Sequence, residues 1–214
     1  EMIFRRVGIT FAVYGDKVPV RANEWDNRHF WRVSNAEHLK MTEDVGMINV
    51  SHFAEIDVVG PDAADLLEYI CVAKVGGDTP VGKGVYTHFL DAKGGVRADL
   101  TVLRLAQDHY RVIDGADAGH RDLVWIQRMA QDRGANVKVT DTTTAYGCLG
   151  VWGPNARATI QKIADAPDAW THDNFPFAAF RNLTIAGVPV LAFRISYVGE
   201  QGWELHFKYE DGLA

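Results

Sequence analysis

The sequence has little cysteine and no recognisable metal-binding spacing. Its two cysteines, Cys71 and Cys148, are far apart in the 214 residues and lie in apolar contexts, without the CxxC or Cys/His spacing of zinc sites. The eight histidines show no HExxH or other close ligand spacing. The sequence therefore predicts no metal site and two core thiols in a reducing compartment.

The chain also lacks an excess of positive charge and any long apolar run. Its net charge is −6, which argues against a nucleic-acid partner or an anionic membrane surface. No stretch of 18 apolar residues and no signal-peptide pattern is present, so no membrane segment is predicted. The cytoplasm, or the mitochondrial matrix in a eukaryote, is the expected location. Gly82-Lys83-Gly84 and Gly94-Gly95 match neither GxxxxGK[ST] nor GxGxxG, so nucleotide binding is not predicted.

A short segment that occurs twice indicates the organisation of the chain. Val59–Leu67 is echoed by Trp152–Ile160, and each copy joins a predicted strand to a helix that a proline begins. Two copies are too few for a solenoid, so the repeat predicts two related α+β units. The 47 % hydrophobic content is enough for a core in one large or two small domains.

Hydrophobic periodicity predicts the individual elements. Ser34, with Glu37 three residues later, forms a capping-box pattern that predicts the start of a helix over 35–45. Residues 1–33 are predicted to be irregular with short strands. The other predicted elements are strands at 54–58 and 110–114, a helix at 116–133 ended by Gly134, a hairpin of 181–185 with 188–196, and a strand at 203–207.

The segment Gly84–Leu105 is the predicted centre of function. Apolar and β-branched residues flank Asp91–Gly95, a pattern that predicts two strands joined by a glycine-containing hairpin loop. Asp99 interrupts the second strand, so its carboxylate must face either solvent or a polar cleft. From spacing alone, a solvated residue on an alternating strand is the simpler interpretation.

Several motifs, in order along the chain, resemble the glycine cleavage T-protein (aminomethyltransferase) family, which includes the folate domains of dimethylglycine and sarcosine dehydrogenases. These motifs are Glu37-His38, Val45–Phe53, Val59–Ala63, Tyr86-Thr87, Gly94–Leu100 and Tyr197–Glu204. The resemblance implies an α+β fold of two related α/β units, with mixed or antiparallel sheets and flanking helices. It implies one discontinuous unit of residues 1–52 and 136–214, a second unit of 53–135, and a C-terminal β-barrel domain in a longer protein.

The resemblance also implies a cofactor and a set of site residues. The cofactor is tetrahydrofolate, with Asp99 similar to the family's catalytic aspartate and Tyr86 to a tyrosine beside the folate. Glu200 is similar to the acid that binds the pteridine edge. Where the family usually has asparagine, this chain has Asp114, which accepts hydrogen bonds but cannot donate them when ionised. Ala98-Asp99 keeps the second of the family's paired aspartates.

The implied reaction forms 5,10-methylenetetrahydrofolate from an aminomethyl or iminium donor. The implied partners are a small-molecule one-carbon donor and either a lipoyl carrier protein or a fused or associated flavin dehydrogenase domain. One alternative is a demethylase that moves an intact methyl group to the folate; it needs no catalytic acid, so Asp99 favours the first reaction. The other alternative is a non-catalytic folate-binding protein of the same fold. Ser196–Glu200 stands where the best-known branch of such proteins has a KGCxxGQE-like segment, which argues against that branch.

Overall fold

The structure is a computed structural model that describes residues 31–213, and the residues preceding Trp31 lie outside this range. The described part contains four α-helices: α1 Trp31–Glu43, α2 Ala63–Ile70, α3 Gly119–Arg133 and α4 Ala156–Gln161. It also contains ten strands: β1 Gly46–Asn49, β2 Ala54–Val59, β3 Gly84–Leu90, β4 Val96–Ala106, β5 His109–Asp114, β6 Lys138–Asp141, β7 Tyr146–Trp152, β8 Phe180–Ile185, β9 Val188–Phe193 and β10 Gly202–Lys208.

These strands form two five-stranded sheets. Sheet A has the order β1-β7-β10-β9-β8, and sheet B has the order β6-β2-β5-β4-β3. Every pair of neighbouring strands in the two sheets is antiparallel. The predicted α+β fold class is therefore confirmed.

The repeated segment occupies equivalent places in the two sheets. In sheet B, β2 leads through Gly60-Pro61 to α2 and then to β3, β4 and β5; in sheet A, β7 leads through Gly153-Pro154 to α4 and then to β8, β9 and β10. Each helix begins two residues after its proline. The outer strands β1 and β6 complete the correspondence, so the two sheets have the same strand order.

The division into domains stays a prediction. Sheet A contains β1 and β7 to β10, which agrees with a discontinuous unit. However, β6 pairs with β2 in sheet B, although residues 138–141 fall in the sequence range predicted for the other unit.

Two predicted helix starts are wrong. The capping-box interpretation of Ser34 fails because Ser34 lies inside α1, which already includes Trp31. Serine inside a helix costs only about 0.5 kcal/mol relative to alanine, so a capping pattern does not force a helix to start. The helix predicted from residue 116 begins at Gly119, because residues 115–118 form a turn in which the Ala118 amide donates to the Gly115 carbonyl at 3.0 Å.

In each sheet, one face packs against helices and the opposite face contacts the other sheet. The helix-side core of sheet B includes Ile56, Leu67 and Ile126, and half-buried Cys71 packs against it. Burial raises the pKa of the Cys71 thiol to about 12, which keeps it protonated. A separate cluster of Leu103, Ile113, Phe180 and Phe193 joins β4 and β5 to β8 and β9, so the opposite face of sheet B contacts sheet A.

The two glycines of the repeated segment, Gly60 and Gly153, should both be required for the stability of the fold. Gly60 and Gly153 have φ of +149° and +135°, and an added Cβ would lie 2.3 Å from a backbone carbonyl oxygen at either position. Alanine at either position should lower the free energy of unfolding by about 2 kcal/mol or more, through backbone strain and overpacking. Urea denaturation checks this, with Gly77→Ala as the control, because Gly77 has open space around it and should change by less than about 0.5 kcal/mol. Equal losses in all three variants would contradict the requirement.

Candidate functional site

The structure brings Tyr86 and Asp99 together on adjacent strands. The Tyr86 hydroxyl donates to Asp99 Oδ2 at 2.8 Å, which joins β3 to β4. His88 lies directly opposite Asp99 in the register, and its Nε2 is 3.4 Å from the Tyr86 hydroxyl oxygen. Two of the four predicted site residues therefore form one hydrogen-bonded group.

The hairpin loop explains why this group is well positioned. Asp91 Oδ1 accepts the backbone amides of Lys93 and Gly95 at 2.8 and 2.9 Å, and these bonds lower the pKa of Asp91. Gly94 has φ +80°, which glycine adopts without strain. The loop closes the hairpin, and a register shift between the pairs Leu90–Val96 and Phe89–Ala98 then places Asp99 opposite His88.

Sheet B presents Tyr86 and Asp99 on the face that contacts sheet A. Ala98 and Leu100, on either side of Asp99 in the strand, are buried in the helix-side core, so Asp99 points the other way. Asp99 is exposed and the Tyr86 side chain is 55 % exposed. The hydrogen bond to Asp99 raises the pKa of Tyr86, so the phenol retains its proton and remains a donor. This arrangement leaves an aromatic face and a carboxylate accessible to a ligand.

Asp114 lies on the opposite face of sheet B. Asp114 ends β5 opposite Leu100 in the register, and this pairing places Asp114 on the helix side of sheet B. The residue is 5 % exposed. Glu200 lies half-buried in the turn between β9 and β10. The structure therefore joins Tyr86 to Asp99, and it does not place Asp114 on their face.

A buried ionic network, which was not predicted from the sequence, lies on the face of sheet B that also carries Tyr86 and Asp99. Arg111 donates from Nε to Asp57 Oδ1 at 2.7 Å and from Nη1 to Glu55 Oε2 at 2.8 Å. The Arg111 and Glu55 side chains are each 4 % exposed. Burial works to lower the pKa of Arg111, but Asp57 and Glu55 outweigh it and raise this pKa above its ordinary value. The guanidinium therefore stays charged and holds both carboxylates.

This network continues across to sheet A through His206. Its Nδ1 lies 2.8 Å from Glu55 Oε1, and its Nε2 lies 3.4 Å from Glu204 Oε2 and 3.6 Å from Cys148 Sγ. Burial works to lower the pKa of His206, but Cys148, Glu204 and Glu55 raise it well above 6.5. Cys148, Glu204 and His206 could together hold a metal ion, since their ligand atoms lie within 4.8 Å of one another. An imidazolium that donates to both carboxylates also accounts for the arrangement.

One sequence signal could have revealed this network. Glu55 and Asp57 alternate with apolar residues in β2, and Glu204 and His206 alternate in β10. Such alternation predicts a polar face on each strand. Which polar faces meet depends on how the two sheets pack, and that packing is not a local property of the sequence.

The fold of this chain is similar to that of a solved protein structure. It superposes with a TM-score of 0.70 on the crystal structure of glycine cleavage system aminomethyltransferase T from Bartonella henselae. The match has 23 % sequence identity and covers 83 % of this chain and 45 % of that one, so it shows the fold alone. Among residues 31–213, no helix is both long and apolar enough to cross a membrane.

The sequence comparisons then show the family. Residues 8–214 match the family model described as the GCVT N-terminal domain, and the chain belongs to this family. It is 34 % identical over 186 residues to mitochondrial dimethylglycine dehydrogenase of Rattus norvegicus, covering 87 % of this chain and 21 % of the relative. It is 33 % identical over 190 residues to an aminomethyltransferase of Streptomyces coelicolor, covering 89 % of this chain and 49 % of the relative. The chain therefore spans between about a fifth and about half of these relatives.

Proposed function

We propose that this protein binds tetrahydrofolate and transfers a one-carbon unit to it beside the Tyr86–Asp99 pair. The observation that carries the proposal is the 2.8 Å hydrogen bond between these two side chains on an accessible sheet face. Family membership supports it, because both residues lie in motifs that resemble the T-protein pattern. Tetrahydrofolate would supply the nitrogen atoms that accept the one-carbon unit.

The two side chains fit a flat, nitrogen-rich heterocycle. Tyr86 offers an aromatic face for stacking, and its hydroxyl is directed towards Asp99 and orients that carboxylate. Because Tyr86 occupies Oδ2, we assign Oδ1 of Asp99 the role of steering a folate proton and offsetting the positive charge of a transferring carbon. A carboxylate held on a strand is preorganised for this role, since little reorganisation is needed when charge develops.

The donor that we propose is an aminomethyl or iminium compound, and the product is 5,10-methylenetetrahydrofolate. Two kinds of partner supply such a donor: a lipoyl carrier protein, or a flavin dehydrogenase domain that oxidises a methylamine. The relatives include both aminomethyltransferases and dimethylglycine dehydrogenase. The residues on either side of the matched region distinguish the two, because a flavin domain would add a GxGxxG segment.

Glu200 supplies a direct test of folate binding. A carboxylate can accept two N–H bonds from an aminopyrimidine edge, a charge-assisted contact worth about 1.5–3 kcal/mol. Glu200→Ala should therefore weaken tetrahydrofolate binding by about 10-fold to 100-fold, measured by anaerobic titration. Glu210→Ala is the matched control, because the Glu210 side chain is 76 % exposed in the last turn and should leave affinity unchanged.

Equal affinities for wild type and Glu200→Ala would remove Glu200 from the site. Glu204, which is buried beside His206 in the same segment, would then be the acid to test next. Absence of any binding by the wild-type protein would contradict the proposed function itself.

A further inference from the structure

Two buried carboxyl groups meet at the junction of β5 and α3. Asp114, at the end of β5, is 5 % exposed, and Asp122, in the first turn of α3, is fully buried. Gly119, one helical turn before Asp122, packs against Ala54, which is the register partner of Asp114 on β2, so the buried Asp122 side chain faces the end of β5. Burial first, and then the Asp122 side chain, raise the pKa of Asp114, which agrees with this contact. Ionised carboxylates have only acceptor oxygens, so this contact is repulsive unless one of them carries a proton.

Arg121 identifies Asp122 as the ionised member of the pair. Its Nε donates to Asp122 Oδ1 at 3.0 Å and its Nη2 to Asp122 Oδ2 at 2.8 Å, a two-pronged contact that favours a carboxylate. The guanidinium reaches this site from the surface, since its side chain is 51 % exposed. Both oxygens of Asp122 therefore accept bonds from a cation.

Asp114 has a different environment. Its Oδ1 accepts the Gly115 backbone amide at 2.7 Å, whereas its buried Oδ2 has no hydrogen-bond donor within the described residues. Its register partners on the neighbouring strands, Leu100 and Ala54, are uncharged. An unpaired buried carboxylate oxygen beside a second carboxylate is costly, and one proton on Oδ2 removes that cost by making a donor.

We propose that Asp114 and Asp122 share one proton, which resides on Asp114 Oδ2, so that Asp114 acts in this protein as a carboxylic acid that donates to Asp122. In this form it has one donor and one acceptor, as an asparagine would. The pair therefore makes the junction of β5 and α3 sensitive to pH. At a pH above the pKa of Asp114, the junction contains two facing negative charges. At a pH below it, a hydrogen bond joins the two side chains.

The direction of the pH dependence follows from the pKa of Asp114. Burial, and secondarily Asp122, raise this pKa from 3.8 to about 7. Between these two values the folded protein binds a proton that the unfolded chain lacks. Stability should therefore rise as pH falls through about 7, and this gain saturates below the unfolded value. One linked proton changes the unfolding equilibrium constant by about 10-fold per pH unit within this window.

The experiment compares urea denaturation of the wild-type protein and Asp114→Asn from about pH 5 to about pH 8. We expect the unfolding equilibrium constant of the wild type, divided by that of the variant, to fall by up to about 10-fold for each unit that the pH falls below about 7. The variant lacks this dependence because its amide has no proton to exchange. Asp108→Asn, in the exposed turn between β4 and β5, is the control and should follow the wild type. Carbon-13 NMR should show one aspartate carboxyl that titrates near pH 7 and disappears in Asp114→Asn. Parallel pH profiles together with the absence of such a resonance would overturn the proposal.

A second measurement tests whether the pair affects ligand binding, and this part rests on the proposed function. Because Asp114 lies on the helix side of sheet B, away from the face of Tyr86 and Asp99, the tetrahydrofolate affinities of the wild type and of Asp114→Asn should follow the same pH profile. A loss of affinity above about pH 7 that only the wild type shows would mean that Asp114 also takes part in folate binding, and the denaturation and NMR results would still decide on the shared proton. If no folate binds, the proposed function fails while the denaturation and NMR results still decide on the acid pair.

Discussion

Replacing Asp99 by asparagine should slow one-carbon transfer by about 100-fold or more, a loss of about 3 kcal/mol in transition-state stabilisation. Asparagine keeps the shape of the side chain and can still accept the Tyr86 hydroxyl, but it removes the negative charge. Because that charge is assigned to the transferring carbon, tetrahydrofolate affinity should change little. Single-turnover formation of 5,10-methylenetetrahydrofolate measures the rate, and equilibrium titration measures the affinity.

Two further measurements separate catalysis from structure in this prediction. Asp99 is exposed, so Asp99→Asn should alter the free energy of unfolding by less than about 0.5 kcal/mol. Tyr86→Phe keeps the aromatic face and removes the hydroxyl, so it should lower the rate less than Asp99→Asn does. An undiminished rate in Asp99→Asn would refute the catalytic assignment and favour transfer of an intact methyl group or simple folate binding.

Replacing Arg111 by methionine should lower the free energy of unfolding by about 3–5 kcal/mol. Methionine preserves much of the volume but removes the guanidinium that the buried Glu55 and the mostly buried Asp57 share, so that, among residues 31–213, only His206 remains beside Glu55 and only His109 beside Asp57. It also removes a cation–π contact, because the guanidinium carbon of Arg111 lies 4.1 Å from the centre of the Tyr146 ring. Denaturant unfolding at neutral pH measures the loss.

Arg128 provides the matched control for this substitution. Its Nε lies 3.7 Å from Asp132 on the surface of α3, and its side chain is 72 % exposed, so Arg128→Met should cost less than about 1 kcal/mol. A similarly small loss in Arg111→Met would mean that the network between the sheets does not stabilise the fold.

The parts of the fold that depend on local patterns were predictable from the sequence. Alternating residues on both sides of Asp91–Gly95 predict β3 and β4 because glycine and aspartate suit a tight turn between two strands. The hairpin of β8 and β9 was predictable for the same reason: Ala186 and Gly187 both have positive φ there. The duplicated Gly-Pro segment likewise indicated two related units, which the matching strand orders bear out.

Features that depend on register or on contacts between sheets were not predictable in this way. Asp99 and Asp114 both lie on predicted strands, but a shift of one residue in pairing decides which face each occupies. The bond between Glu55 and His206 joins residues 151 positions apart and requires the packing of sheet A on sheet B. Ser34 shows the converse error, since a favourable local pattern did not determine where α1 begins.

The most direct test of the account is the structure of the protein crystallised anaerobically with tetrahydrofolate. The account predicts the pteridine against the ring of Tyr86, with a folate nitrogen about 3 Å from the Asp99 carboxylate. Folate bound away from this face, or folate bound with Asp99 directed to solvent, would contradict it.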